Sequence, residues 1–258
     1  MMKVLMIGDV YAKPGREMLE KHLKNIVDQN QIDFIVVNGE NTTHGKSICK
    51  KHYDFYKSLN VDVITSGNHI FKNAEVLEYI KTTNDLLKPL NMSKHTPGNG
   101  YVIVKKNKKK IAVVSLMGQS FMDTVNNPYD ALDEFLKTNT DFDILLVDFH
   151  AESTAEKIAF AFNYDGIITA FVGTHTHVMT ADERLLPNKT AFISDIGMTG
   201  VIDSIIGVEV NDVIKRAKTG LPVKFNIATG KCWLNAVIIE IDDKTNKATS
   251  IKRLTIKD

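Results

Sequence analysis

Short apolar runs alternate with helix-like segments along the first two thirds of the chain. Each run is three to seven residues long, and all but one are followed directly by Gly, Asp, Asn or Ser, which is typical of buried β-strands. The predicted strands are Lys3–Ile7, Phe34–Val37, Val61–Thr65, Ile111–Leu116, Phe142–Val147, Gly166–Val172 and Ala191–Ile193. Between them, apolar residues recur at helical spacing, most clearly at Leu19, Leu23 and Ile26. The predicted helices are segments 15–29, 50–59, 73–82, 128–139 and 152–162.

This alternation favours an α/β fold with a largely parallel sheet. The basic run 105–110 lies between the apolar segments Tyr101–Val104 and Ile111–Leu116, so it predicts a lysine-rich hairpin turn with a solvated tip. From Val208 onward the pattern changes to short strands and turns. The last apolar runs are Trp233–Ile241 and Thr249–Ile256. This end of the chain predicts a second, mixed or antiparallel sheet packed against the first.

Composition narrows the class of protein without naming a function. The 258 residues are near the upper size for one hydrophobic core, so we expect a single domain over residues 1–258. A net charge of +1 gives no general electrostatic reason to bind nucleic acid or a membrane. Cys49 and Cys232 form no C-x-x-C motif, and the apolar run at the N-terminus stops at Asp9, too early for a signal peptide. We therefore expect a cytoplasmic protein.

Chemistry is concentrated at the strand ends, above all in the segment Gly173–His177. His175 and His177 lie two residues apart after an apolar run, and residues i and i+2 of an extended chain point to the same side. Both imidazoles can therefore converge on one metal. Such pairs also occur on solvated strands without a metal, so this motif does not decide the matter alone.

The other strand ends carry metal-ligand chemistry as well. The strand-end candidates are Asp9, Glu40, Asn41, Asn68, His69, His150, His175 and His177. They exceed what one tetrahedral zinc site uses and suit two octahedral-leaning ions that share a carboxylate. Nitrogen and oxygen ligands without thiolate point to iron, manganese or zinc. Two ions about 3.5–4 Å apart can stabilise both oxygens of an in-line phosphoryl displacement.

These motifs resemble a known family. The five blocks are Gly8-Asp9, Asn38-Gly39-Glu40-Asn41, Gly67-Asn68-His69, His150 and Gly173-Thr174-His175-Thr176-His177, and they are similar to those of the calcineurin-like metallophosphoesterases. Segments 148–152, 173–178 and 195–200 resemble, more narrowly, the bacterial YmdB-like branch. The resemblance implies a four-layer αββα sandwich, in which helices flank two mixed sheets. It also implies two bound iron ions, with manganese as the alternative, and hydrolysis of 2′,3′-cyclic nucleotides.

The resemblance also implies residue roles. Asp9, Asn41 and His177 would hold one metal, and Asn68, His150 and His175 the other. Glu40 would bridge the two ions, and His69 would protonate the leaving sugar oxygen. The first block of the superfamily is usually D-x-H, whereas Tyr11 takes the third position here, and the usual bridging aspartate is Glu40. These departures weaken any transfer of substrates from the protein phosphatases or nucleases of the superfamily.

The sequence leaves several alternatives open. A phosphomonoesterase could use the same two-metal site, and a non-catalytic regulator could use it to bind a nucleotide. His69 favours an enzyme, because sensing needs no proton donor. We expect a small cyclic nucleotide as the partner, without stable nucleic-acid binding, and the oligomeric state stays open, a homo-oligomer included.

Four residues near the motifs have secondary roles in this interpretation. His44 follows Asn41 in a loop and could approach the substrate, although loop histidines are more often only exposed. Asp148 and Glu152 flank His150 and could either orient its ring or cap the next helix. We expect capping for Glu152, and Asp182 is a candidate to support the histidine pair.

Overall fold

Two β-sheets stack face to face, with helices on both outer faces, in a computed structural model that describes residues 1–258. In chain order the strands are β1 (Met2–Ile7), β2 (Asp9–Val10), β3 (Phe34–Asn38), β4 (Val63–Thr65), β5 (Tyr101–Lys106), β6 (Lys109–Met117), β7 (Ile144–His150), β8 (Ala170–Thr174), β9 (Arg184–Leu185), β10 (Ala191–Ile193), β11 (Met198–Val201), β12 (Cys232–Ile241) and β13 (Ala248–Lys257). The α-helices are α1 (Ala12–Asn30), α2 (Lys50–Ser58), α3 (Val76–Tyr79), α4 (Pro128–Thr138), α5 (Thr154–Asn163) and α6 (Val210–Thr219).

Both sheets are mixed. Sheet 1 has seven strands in the order β2-β11-β12-β1-β3-β4, with β13 also paired to β12. Strands β1, β3 and β4 run parallel, and β12 is antiparallel to β1. Sheet 2 has six strands in the order β5-β6-β7-β8-β10-β9, of which β6, β7, β8 and β10 run parallel.

The apolar strands are buried on both faces, which explains their continuous hydrophobic runs. In β1, Val4 and Met6 pack between the sheets, whereas Leu5 faces the outer core with α1. In β7, Leu146 packs between the sheets and Val147 faces the outer core of sheet 2. Successive residues thus serve different layers, as the two-residue period of a strand requires. The predicted four-layer α/β fold with two mixed sheets is confirmed.

The C-terminal part departs from the prediction. Strands β12 and β13 do not start a second sheet, because β12 inserts into sheet 1 beside β1, and sheet 2 comes from the middle of the chain. Residues of β12 are buried on both faces, so the strand fits a central position. The stretch predicted as short strands and turns also contains the helix α6, none of whose residues is buried.

The helix predicted over 73–82 forms only in part. The structure has a 3-10 turn at Ile70–Lys72 and only the four residues of α3. The hydroxyls of Thr82 and Thr83 donate to the carbonyls of Tyr79 and Ile80, which ends the helix at once. The lysine-rich hairpin does form, with Asn107 and Lys108 at φ of 46° and 66° in its turn.

No helix of the structure combines the length and the apolar character that crossing a bilayer requires.

Candidate metal centre

The carboxyl ends of strands from both sheets meet in one cluster of polar side chains. From sheet 1 come Asp9 in β2, Glu40 and Asn41 after β3, and Asn68 and His69 after β4. From sheet 2 come His150 at the end of β7, and His175 and His177 after β8. The contacts below connect all eight predicted residues into one network.

Glu40 lies at the middle of this network and is buried. Its Oε1 lies 3.1 Å from Nε2 of His150 and 3.2 Å from Nδ2 of Asn41. Its Oε2 accepts a hydrogen bond from the backbone N–H of His69 at 3.1 Å. One carboxylate therefore contacts residues of both predicted metal positions, which is the arrangement that a bridging ligand needs.

Asp9, Asn41 and His177 form one half of the cluster. Nδ2 of Asn41 lies 3.1 Å from Oδ1 of Asp9 and 3.1 Å from Nε2 of His177. On the far side of its ring, Nδ1 of His177 lies 3.0 Å from the carbonyl of Ile206. Because a carbonyl only accepts, Nδ1 carries the proton, and the lone pair of Nε2 faces Asp9 and Asn41.

Asn68, His150 and His175 form the other half. Nε2 of His150 lies 3.1 Å from Oδ1 of Asn68 and 3.1 Å from Nδ1 of His175. The other nitrogen of His175, Nε2, lies 3.1 Å from Oε2 of Glu152. Oxygen and nitrogen lone pairs therefore converge here as well.

The backbone after β4 packs so closely against His150 and Glu40 that it requires a glycine at position 67. A Cβ on Gly67 would lie 2.1 Å from Cδ2 of His150 and 2.5 Å from Oε2 of Glu40. Any side chain would displace two of the predicted ligands, so the Gly67-Asn68-His69 block needs its first residue as much as its other two.

Burial makes the charges of the cluster depend on one another. Burial lowers the pKa of His150, but the Glu40 carboxylate outweighs it and raises the pKa to about 9. Burial raises the pKa of Glu40, and the charge of His150 overcomes this and lowers it to about 2. The Asp9 pKa rises to about 6 because of burial, although His177 and His150 oppose the shift. The carboxylates of the cluster thus require a positive charge among them.

The donor set fits divalent transition ions. Ligand atoms of Asp9, Glu40 and His150 all lie within 4.8 Å of one another. The other donors are amide oxygens and imidazole nitrogens, without a thiolate, which suits iron, manganese or zinc. A cation at this place would supply the charge that the buried carboxylates require.

His69 lies at the edge of the cluster. Its Nδ1 is 2.9 Å from Oδ1 of Asn41, and its side chain keeps 27% of its surface exposed. Burial lowers the pKa of this histidine. The ring thus touches both the cluster and the solvent, as a proton donor to a bound substrate must.

The surrounding residues differ in part from their predicted roles. Capping by Glu152 is wrong, because Ser153 is the N-cap of α5 and accepts from the N–H of Glu156 at 3.3 Å. Glu152 contacts His175 instead. Asp182 accepts from the Thr180 hydroxyl and the Ser194 N–H, so it braces the loop after β8 and does not bond to the histidine pair.

His44 is exposed in the loop after Asn41. The sequence reasoning missed the Ile206 carbonyl, which any residue type supplies and which therefore leaves no signal in a sequence. It also missed how Tyr11 acts: this ring meets the ring of His177 edge-on, with centroids 5.7 Å apart.

This fold is shared with a calcineurin-like phosphoesterase of known structure. The crystal structure of the calcineurin-like phosphoesterase YfkN from Bacillus subtilis aligns over 98% of this chain and 90% of that chain, with a TM-score of 0.59 and 14% identity. That degree of likeness shows the shared fold.

The family of this chain follows from closer comparisons. The sequence profile of the YmdB-like proteins matches residues 5–254, so the chain belongs to the YmdB-like family, as its motifs predicted. A 2′,3′-cyclic-nucleotide 2′-phosphodiesterase of Bacillus subtilis (strain 168) is 42% identical over 258 residues, which cover 100% of this chain and 98% of that protein. The crystal structure of a novel phosphatase from Mycoplasma pneumoniae has a TM-score of 0.95 at 36% identity, over 99% of this chain and 93% of that one.

Proposed function

We propose that this protein is a metal-dependent phosphodiesterase that hydrolyses 2′,3′-cyclic nucleoside monophosphates at a two-metal centre. The observation that carries the proposal is the position of Glu40, whose carboxylate contacts Asn41 on one side and His150 on the other. The 42% identity to a protein named as a 2′,3′-cyclic-nucleotide 2′-phosphodiesterase supports the same substrate.

In this proposal the two halves of the cluster each hold one ion. Asp9, Asn41 and His177 hold the first, Asn68, His150 and His175 hold the second, and Glu40 is shared. Iron is the first choice and manganese the alternative. When bound, the two ions polarise the phosphoryl oxygens and supply the activated nucleophile of an in-line displacement.

Asn41 then connects the first metal position to the proton donor. A half-turn of the Asn41 side-chain amide exchanges the positions of its oxygen and its nitrogen. As a ligand it must place Oδ1 where Nδ2 contacts Asp9 and His177. Asn41 then engages Nδ1 of His69, and Nε2 is the ring nitrogen left to act on the substrate.

From Nε2 the protonated, cationic His69 ring gives a proton to the departing ribose oxygen and is left as the neutral ring. Burial lowers the pKa of this imidazole, and an acid with a lower pKa gives up its proton more readily. The 2′,3′-cyclic phosphate suits this arrangement, because its strained five-membered ring leaves two phosphoryl oxygens uncrowded. A phosphomonoester presents similar oxygens and is the competing substrate.

One assay tests the proposal. Protein reconstituted with Fe²⁺ or Mn²⁺ is given 2′,3′-cyclic, 3′,5′-cyclic and 5′-monophosphate forms of adenosine and guanosine. We expect the highest kcat/KM for the 2′,3′-cyclic forms, with weak discrimination between the bases. His69→Ala, prepared in parallel, controls for contaminating phosphatases. Equal rates on the two cyclic isomers would refute the proposed 2′,3′ substrate, and a preference for the monoesters would make the protein a phosphomonoesterase.

A further inference from the structure

A chain of three buried groups continues from the metal centre into sheet 2. Asp148 and His150 both lie in β7, and Thr174 ends the neighbouring strand β8. The Thr174 hydroxyl donates to Oδ1 of Asp148 at 2.7 Å and lies 2.9 Å from Nδ1 of His150. Thr174 and His150 are fully buried, and Asp148 is 2% exposed. Asp148 therefore reaches His150 only through Thr174.

Two further donors hold the second oxygen of the Asp148 carboxylate. Its Oδ2 accepts from the Thr65 hydroxyl and, at 3.0 Å, from Nδ2 of Asn38. The Asn38 amide cannot turn around without loss, because its Oδ1 accepts from the N–H of Glu40 at 3.2 Å. With Thr174 on the other oxygen, three donors converge on Asp148. The side chain therefore accepts hydrogen bonds through both of its oxygens.

The single proton of the Thr174 hydroxyl determines which hydrogen bond the His150 ring can make. A threonine hydroxyl has one proton, and Thr174 gives it to Asp148. Toward His150 the hydroxyl oxygen can only accept, so Nδ1 of the ring carries a proton. Nε2 is then the nitrogen that faces Glu40, Asn68 and the second metal position, and a bound metal would take the place of its proton.

The opposite edge of the ring is held by Gly67. Its missing Cβ would lie 2.1 Å from Cδ2 of His150, so the ring fits between Gly67 and Thr174. Turning the ring over would place a C–H against the Thr174 hydroxyl and an N–H against the Gly67 backbone. The turned ring would therefore lose its hydrogen bond to Thr174.

We propose that Thr174 and Asp148 are positioning residues, which hold His150 in the orientation and tautomer that bind metal. The inference rests on the proposed function, because it assumes that His150 is a ligand. Its readout is metal affinity, so it can be tested whether or not a cyclic nucleotide is the substrate.

The test measures Mn²⁺ binding to chelator-stripped protein by isothermal titration calorimetry. Loss of a group that orients a metal-binding histidine typically costs about 10–100-fold in affinity, and we expect Thr174→Val to fall in that range. Thr174→Ser keeps the hydroxyl and should bind Mn²⁺ as tightly as the wild type. Wild-type affinity in Thr174→Val would overturn the proposal.

Thr65→Val is the matched control. It removes a buried hydroxyl that donates to the same carboxylate but makes no bond to His150. Both valine variants leave Asp148 with one donor fewer, so thermal unfolding should show similar losses of stability. We expect only Thr174→Val to lose metal affinity. Equal losses in both variants would show that the packing of Asp148 matters and not its link to His150.

Asp148→Asn tests the same series of hydrogen bonds at its carboxylate end. It also provides the test if Thr174→Val does not fold. Asn38 and Thr65 both donate to the position of Oδ2, so the new amide places its oxygen there and its NH₂ toward Thr174. The hydroxyl must then turn and donate to Nδ1 of His150, which moves the imidazole proton to Nε2. We expect weaker Mn²⁺ binding, and unchanged affinity in a folded Asp148→Asn variant would refute the role of Asp148.

Discussion

The two sheets make unlike contributions to the centre. Sheet 1 supplies every oxygen donor of the candidate set, namely Asp9, Glu40, Asn41 and Asn68. Sheet 2 supplies the three imidazoles proposed to bind metal, His150, His175 and His177, whereas His69 follows β4 of sheet 1. The carboxylates are steadied by backbone N–H groups: His69 donates to Glu40, and His175 donates to Asp9 at 3.2 Å. The imidazoles are held instead by acceptors on their far nitrogens.

This division explains the opposite pKa shifts across the centre. Glu40 holds a proton on His150, and His150 holds Glu40 ionised, so each sheet supplies the counter-charge of the other. Neither sheet alone provides a favourable environment for its own ligands, because burying an unpaired charge is costly. The centre therefore depends on the core between the sheets as much as on its ligands.

Removing the carboxylate that contacts both halves should have the largest effect. Glu40→Ala should lose both ions and all measurable turnover, because each proposed metal position loses the same bridging group. Elemental analysis after reconstitution with Mn²⁺ measures this directly. Glu134→Ala, an exposed change on α4, is the control. Retention of one full equivalent in Glu40→Ala would argue against a shared ligand.

Removing the proton donor should separate chemistry from metal binding. His69→Ala should keep its metal content but lose about 10²–10⁴-fold in kcat, the usual contribution of general acid catalysis. A nitrophenyl ester should be much less affected, since its leaving group departs without protonation. An equal loss on both substrates would remove His69 from the acid role.

The contact between the sheets can be tested in its core. Phe34 is fully buried between them, and Phe34→Ala should lower the free energy of unfolding by about 3–5 kcal/mol. Phe121→Ala removes a ring that is 92% exposed and should change stability little. Urea denaturation of both variants gives the comparison. A small loss in Phe34→Ala would mean that the sheets hold together by other contacts.

A change confined to one half should affect one ion. Asn41→Ala removes a proposed ligand of the first position only, so one equivalent of Mn²⁺ should stay bound and the second should bind more weakly. Calorimetric titration distinguishes the two events. Asn68→Ala is the matched change in the other half. If each variant lost both ions, the halves would be coupled more tightly than their separate contacts indicate.

The smallest expected effect lies in the loop that follows β8. Burial raises the pKa of Asp182, but the Thr180 hydroxyl and the Ser194 N–H outweigh it and lower the pKa below 3.8. Its stabilising effect is therefore complete well above pH 4 and is lost as the pH falls through the folded-state pKa. Asp182→Ala should cost about 1 kcal/mol at pH 7. The difference from wild type should shrink in urea titrations at pH 3, and a constant difference would contradict this account.

Local patterns predicted much of this molecule because its candidate site lies where strands end. The runs before Gly8, Asn38, Gly67 and Gly173 identified both the strands and the polar residues that follow them. The contacts of Glu152 and Ile206 were not predictable in this way. They depend on how loops from distant parts of the chain meet, and a backbone carbonyl has no residue type to reveal it.

Sheet assignment failed for a similar reason. The run 233–241 was recognised as a strand, but its partner was not, because strand pairing depends on register between distant segments. The helix α6 was missed although Val210, Val213 and Ile214 have helical spacing. Since none of its residues is buried, no core contact reinforces that weak local pattern.

The insertion of β12 beside β1 also has a consequence for the order of events during synthesis. Met2 pairs with Ile241 and Ile7 with Ala236, so β1 must wait for a strand that is synthesised long after it. Pairings between such distant segments form slowly, because the intervening chain must first be confined. Sheet 2 needs only residues 101–193, so it can assemble while translation continues. The imidazole side of the centre can thus be in place before the strand that completes the carboxylate side has been made.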